Sequence, residues 1–274
     1  MRFRGDGVEI VGDEWVPQGG TRGTVILSHG GGQTRHSWRR TGAWMAERGW
    51  RAIALDARGH GDSGWSSDNA YTMDRFVADL IEVVGQVGEP PVVIGASLGG
   101  TTATLVAGEH PGSIRGLVLV DIAPRVEREG SDRIRAFMAS APDGFASLED
   151  AAAAIHAYNP RRPAPPSLEG LRKNLRLHDN GRWYWHWDPG MLGLPEEPRG
   201  GSGEARVYRA ARALTIPVLL VRGSESDILT PEGVAEFRDA VPHADFVEVR
   251  AGHMVAGDDN DVFTRNVADF LEGV

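Results

Sequence analysis

The chain has 274 residues, 41% hydrophobic and 24% charged, enough for one large domain or one domain with an insertion, burying about three quarters of its unfolded surface. A net charge of −9 without a Lys/Arg-rich run argues against a nucleic-acid or anionic-membrane partner. The chain has no cysteine, which removes disulfides, thiol nucleophiles and thiolate metal sites, and no run approaches the ~20 apolar residues of a membrane span.

Residues 1–16, MRFRGDGVEIVGDEWV, lack the long apolar core of a signal peptide, so a soluble cytoplasmic protein is expected. Residues 8–16 suggest an antiparallel edge strand. Continuous apolar runs follow at 24–29 (TVILSH), 51–57 (RAIALDA), 91–96 (PVVIGA), 116–122 (GLVLVDI) and 217–221 (PVLLV), with a weaker one at 246–249 (FVEV). Runs of this length suit strands covered on both faces. Helical spacing appears between them at 38–48, 74–87, 98–109, 231–240 and 261–271. The alternation predicts an α/β fold: a mainly parallel, doubly wound sheet with helices on both faces.

The rhythm breaks after residue 122. A charged helix-like stretch at 127–140 and an Ala-rich one at 148–158 precede a Pro-rich segment, RRPAPPS, at 161–167. The aromatic cluster Trp183-Tyr184-Trp185-His186-Trp187 comes next, then the glycine-rich PEEPRGGSG at 195–203. A loop of such length is not expected inside a compact domain. Residues 123–213 therefore read as a helical lid inserted after the sixth strand, with residues 1–122 and 214–274 forming the core.

Gly95-Ala96-Ser97-Leu98-Gly99 fits G-x-S-x-G between an apolar run and a helical stretch. A sharp strand-to-helix turn strains the central serine, and small neighbours avoid a clash there. The helix start behind Ser97 offers free N–H groups to a developing anion. A serine hydroxyl needs a base. His253, in Ala251-Gly252-His253-Met254, follows the last strand run and precedes the final helix. The other histidines have weaker contexts. His36, His110, His178 and His243 read as surface or loop residues, His60 as part of a turn, and His156 and His186 as lid residues. Two aspartates compete as the acid: Asp227, after PVLLV, and Asp121, at the end of GLVLV. Asp227 is slightly favoured. Ser28-His29-Gly30-Gly31-Gly32-Gln33 offers a turn whose backbone N–H, with that of Leu98, gives two oxyanion donors. The same turn lacks the ending of a phosphate loop, which disfavours nucleotide binding.

Together these motifs resemble the α/β-hydrolase superfamily, in its lid-bearing esterase, C–C hydrolase and haloperoxidase-like branch. The likeness spans residues 20–122 and 214–272. It rests on His29-Gly30-Gly31, Asp56-Ala57-Arg58-Gly59-His60-Gly61-Asp62-Ser63, Gly95 to Gly99, and Gly252-His253, in that order. The resemblance implies that Gly31 and Leu98 supply the oxyanion N–H groups and that Trp38 packs behind the turn. Many relatives carry the acid as G-x-x-D after the strand that follows the lid. Here Ser226 takes that slot, and other relatives place the acid where Asp121 stands. Serine at position 97 favours acyl transfer over the epoxide and carbon–halogen chemistries of relatives with an aspartate nucleophile.

The expected function is that of a serine hydrolase, a carboxylesterase or lactonase acting on a small apolar substrate, with no metal or organic cofactor. Gly30, Trp183, Trp185, Trp187 and Met254 are the expected pocket residues, although the aromatic cluster reads first as an anchor for the lid. Arg125 reads as half of a surface ion pair, and Trp44, Trp50 and Trp65 as packing. Rival readings are a C–C bond hydrolase, a perhydrolase and a non-enzymatic small-ligand receptor on the same fold. An open sheet edge or exposed helix gives a homodimer a surface.

Overall fold

The computed structural model describes residues 1–160, 167–193, 201–255 and 260–274. Its frame is an eight-stranded sheet in the order β1-β2-β4-β3-β5-β6-β9-β10. Strands β3 (Thr24–Ser28), β4 (Arg51–Leu55), β5 (Val92–Ala96), β6 (Gly116–Val120), β9 (Val218–Gly223) and β10 (Asp245–Val249) run parallel. Their sequences are apolar on both faces because both faces are covered. Val25, Ile26, Ile53, Val93, Ile94, Leu117, Val118 and Leu220 are all fully buried. Each such side chain contributes about 1.5–3 kcal/mol relative to exposure.

The opening segment forms β2 (Glu9–Trp15), antiparallel to β4, but it is not the edge. That place belongs to β1 (Arg2–Arg4), a three-residue strand too short to show a period in the sequence.

Helix α1 (Arg39–Glu47) follows a turn of 3-10 helix, Arg35–Trp38, and α2 (Met73–Val87) and α3 (Leu98–Glu109) flank the sheet. Helix α3 is buried almost all round, and its hydroxyls turn inward to its own backbone: Thr102 Oγ1 donates to Leu98 O at 2.8 Å and Thr104 Oγ1 to Gly100 O at 2.9 Å. Trp38 and Trp50 are buried as expected, Trp38 against Phe263, whereas Trp65 is 49% exposed.

The insertion leaves the body after β6. It contains α4 (Arg128–Met138), α5 (Leu148–Tyr158), two further 3-10 turns, and a small antiparallel pair, β7 (Leu175–Leu177) with β8 (Trp183–Trp185). It is therefore not wholly helical. Helix α6 (Ser202–Arg212) lies within the span expected to be lid, yet its buried Val207, Ala210 and Ala211 join the core of the body. Gly108 of α3 lets the helices meet: a Cβ there would sit 2.3 Å from Ala210 O. The Pro-rich 161–167 segment and the 195–203 connection fall largely outside the described residues. Helices α7 (Pro231–Ala240) and α8 (Asn260–Glu272) complete the layers. Among the described residues, no helix is long and apolar enough to cross a membrane.

Candidate active site

Ser97 stands between β5 and α3 with φ 46° and ψ −116°, a conformation costing about 1–3 kcal/mol for a residue with a Cβ. The neighbouring glycines are required by contact. A Cβ on Gly95 would lie 2.6 Å from the Gly100 backbone, and one on Gly99 would lie 2.5 Å from Ser28 O. The Ser97 side chain does not cap the helix that it begins.

Asp121 stands one strand away. Ala96 pairs with Val120 in the β5–β6 register, so the residues that follow them leave the sheet side by side. Asp121 is also left-handed, at φ 53°, and fully buried. His253 Nδ1 donates to Asp121 Oδ2 at 2.7 Å. Gly223 N–H at the end of β9 donates to Asp121 Oδ1 at 2.8 Å, and the Ser226 hydroxyl donates to Oδ2. The acid at the histidine is therefore Asp121, and the preference for Asp227 is corrected. The Asp227 carboxylate is held by Arg133 of α4, a partner that the insertion alone supplies. Arg125 pairs with Glu236, as expected of a surface ion pair.

The turn after β3 closes on the serine. A Cβ on Gly30 would lie 3.1 Å from Ser97 Cβ. Most amide groups here have acceptors. Gly30 N–H donates to Gln33 Oε1 at 3.0 Å, Gly32 N–H to His60 Nε2 at 3.1 Å, and Gln33 N–H to Gly30 O at 3.1 Å. Those of Gly31 and Leu98 find no acceptor among the described residues. Gln33 Nε2 contacts Met254 Sδ, so the loop carrying His253 also touches this turn.

The second glycine-rich turn is a polar knot on which the insertion docks. Asp56, fully buried, receives the Arg35 backbone N–H at 2.7 Å and that of Asp62 at 2.9 Å. Arg58 forms a bidentate pair with Asp79 at 2.6 and 2.8 Å. From the insertion, His186 Nδ1 accepts Gly61 N–H and Asp188 N–H reaches Gly59 O, each at 2.8 Å, while Arg176 donates to Gly61 O at 2.9 Å. The Tyr71 hydroxyl donates to Asp188, and burial beside that carboxylate raises the Tyr71 pKa.

Three buried histidines line this seam, His60 lying 5.0 Å from His29 and 5.9 Å from His186 between ring centres. Each accepts a backbone N–H, from Ala57, Gly32 and Gly61 for His29, His60 and His186 respectively. Burial holds all three below the ordinary histidine range, His186 at about 3, and the neighbouring rings add to the effect at His60.

Of the expected pocket residues, Trp185 and Trp187 are buried and stack at 4.8 Å with a 14° tilt. Trp187 Nε1 donates to Met138 O at 3.2 Å, and a Cβ on Gly32 would lie 3.6 Å from the Trp187 ring. Trp187 thus roofs the glycine-rich turn after β3. Trp183 is half-buried beneath the Arg172 guanidinium, 4.8 Å away, and packs against the insertion's aromatic cluster. The structure brings Ser97 and Gly30 together, and His253 and Asp121, but leaves Asp227 and Trp183 elsewhere. Sequence reasoning missed Ser226 as a partner of the acid and His186 as the strut between insertion and turn. Its only hint of the former was Ser226 in the slot where relatives carry their acid. Among the described residues, no three His, Asp or Glu side chains are grouped to hold a metal ion.

Comparison with known proteins agrees with this fold. A family model described as alpha/beta hydrolase fold matches residues 23–259. The chain is 30% identical over 248 residues to the esterase Rv0045c of Mycobacterium tuberculosis, covering 88% of this chain and 80% of that protein. It is 29% identical over 254 residues to a monoacylglycerol lipase of Mycolicibacterium smegmatis, covering 87% of this chain and 82% of that one. A crystal structure of an alpha/beta hydrolase from Novosphingobium aromaticivorans superposes with a TM-score of 0.85 at 26% identity, covering 100% of this chain and 98% of its own.

Proposed function

Because the chain belongs to the α/β-hydrolase fold family, we propose that it is a serine hydrolase cleaving the carboxylic ester or lactone of a small apolar substrate through an acyl-enzyme on Ser97. The observation that carries this reading is the strained Ser97 on the same sheet edge as the Asp121–His253 pair. Asp121 holds the proton on Nδ1 of His253, which leaves Nε2 free to act as base. His253 takes the Ser97 proton as the oxygen attacks the carbonyl carbon, and returns it to the leaving alkoxide. Water then cleaves the acyl-enzyme by the reverse route. The acceptor-free N–H groups of Gly31 and Leu98 bind the oxyanion, and losing one such donor costs about 10²–10³ in rate.

Kinship with an esterase and a lipase supports ester cleavage. Trp187 and Met138 over the oxyanion turn support an apolar acyl or alcohol group. The test is hydrolysis of p-nitrophenyl esters from acetate to decanoate by wild type and Ser97→Ala. Turnover that vanishes with Ser97→Ala supports the reading, and the chain-length profile sizes the pocket. A wild type inert toward every ester and lactone, or a Ser97→Ala variant as active as wild type, contradicts it.

A further inference from the structure

We propose that Ser226 is a positioning residue of the site: its hydroxyl fixes the Asp121 carboxylate in the orientation that receives His253. The inference rests on the serine-hydrolase reading above and adds a residue to it.

The direction of the Ser226 proton follows from counting. A hydroxyl has one proton and two lone pairs. Ser226 Oγ accepts the N–H groups of Ile228 and Leu229, each at 3.1 Å. Both lone pairs are thereby used, and the proton points to Asp121 Oδ2. The carboxylate meets three donors: Gly223 N–H on Oδ1, and Ser226 O–H with His253 Nδ1–H on Oδ2. With no exposure to water, these contacts alone set its rotamer.

The turn that presents Ser226 is held from both sides. Ser226 N–H donates to Gly223 O at 3.0 Å, and Glu225 N–H to Ala251 O at 2.9 Å, next to the His253 loop. A Cβ on Gly223 would lie 2.4 Å from Gly252 O. From the insertion, Gly130 of α4 packs on the Asp227 carbonyl, where a Cβ would sit at 2.4 Å, and Glu127 N–H donates to Ile228 O at 2.8 Å. The charged groups facing the turn are Asp121 and His253, the Arg133–Asp227 and Arg250–Glu225 pairs, and Arg222, which donates to Leu229 O at 2.7 Å and pairs with Glu248. Ser226 thus joins the insertion's footing to the catalytic acid.

The geometry also says where a substitute acid fits. Ser226 Oγ touches the oxygen that His253 touches, so a carboxylate on residue 226 starts within reach of the imidazole. The experiment compares wild type, Ser226→Ala, Asp121→Asn and Asp121→Asn/Ser226→Asp in kcat, KM and pH profile on a p-nitrophenyl ester, with thermal melts as the control for folding. Ser226→Ala is expected to lower kcat about tenfold at unchanged KM, as loss of one outer hydrogen bond to a reacting group does. It is also expected to move the acidic limb of kcat/KM to higher pH, because a carboxylate short of one donor holds the imidazolium more tightly. A purely structural role would lower Tm and leave that limb in place.

The double variant is expected to exceed Asp121→Asn by about tenfold or more. Wild-type kcat and pH profile in Ser226→Ala overturn the proposal. If Ser226→Ala does not fold, the double variant decides: activity above Asp121→Asn supports the proposal, and activity no higher overturns it. A wild type without Ser97-dependent turnover is a different failure, that of the serine-hydrolase reading itself.

Discussion

In the body, β3, β5, β6 and β9 bury continuous Val, Ile and Leu runs, and the polar groups that matter sit at the strands' C-terminal ends: Ser97, Asp121 and the turn after β3. In the insertion the core is an aromatic stack, Trp185 on Trp187 with Phe137 and Phe145 at its edges, and the docking contacts with the Gly59–Gly61 turn are hydrogen bonds. The body fixes atoms by strand geometry. The insertion fixes itself by rings and rests on the body through His186, Asp188 and Arg176. On the serine-hydrolase reading proposed above, the reacting groups stand on the body, and the insertion's aromatic stack supplies the roof over the turn beside them.

The largest effect expected separates the two aspartates. Asp121→Asn should cost about 10⁴ in kcat, because the imidazole loses its orienting carboxylate. Asp227→Asn should stay within about tenfold, since its half-exposed pair with Arg133 is worth roughly 0–1 kcal/mol. Equal losses would erase the distinction between an acid of the body and an ion pair of the insertion. Next is Trp187→Ala, which should cost the insertion about 3–5 kcal/mol. Amide exchange should accelerate in α4, α5, β7 and β8 and stay unchanged in β5 and β6. Uniform acceleration would mean that the two regions unfold as one.

The seam titrates. His29, His60 and His186 are held neutral in the fold, whereas an unfolded histidine takes up its proton near pH 6.5. Their folded values are lowered, so stability is fully present above about pH 6.5 and is lost as pH falls below it. Denaturant unfolding at pH 7, 6 and 5 checks the slope, and His186→Asn should remove one histidine's share. The smallest effect is that of Tyr71→Phe. Asp188 loses one hydrogen bond and the Ser66 N–H loses its acceptor, and the melting transition should record about 1.5–3 kcal/mol.

Much of the body was legible because its signals are local. The body helices at 98–109 and 231–240, and the insertion helix at 148–158, stand at the residues where the spacing places them, and G-x-S-x-G announced its turn because the Gly95 and Gly99 contacts leave no room for a side chain. Asp121 gave a weaker signal. Its left-handed backbone has no glycine to mark it, and its claim over Asp227 depends on where α4 places Arg133. That placement is a tertiary fact with no period in the sequence. Strands β7 and β8 have three residues each, too few to alternate visibly, so the insertion was read as wholly helical. The docking of α6 on α3 was hidden for the same reason: Gly108 reads as a weak point in a helix until Ala210 is seen against it.

The most direct test is to expose wild type to a fluorophosphonate probe and map the modified residue by peptide mass spectrometry, with Asp121→Asn in parallel. The account predicts a single adduct on Ser97, formed far more slowly in Asp121→Asn. No adduct on Ser97, or equal labelling rates in the two proteins, would contradict it.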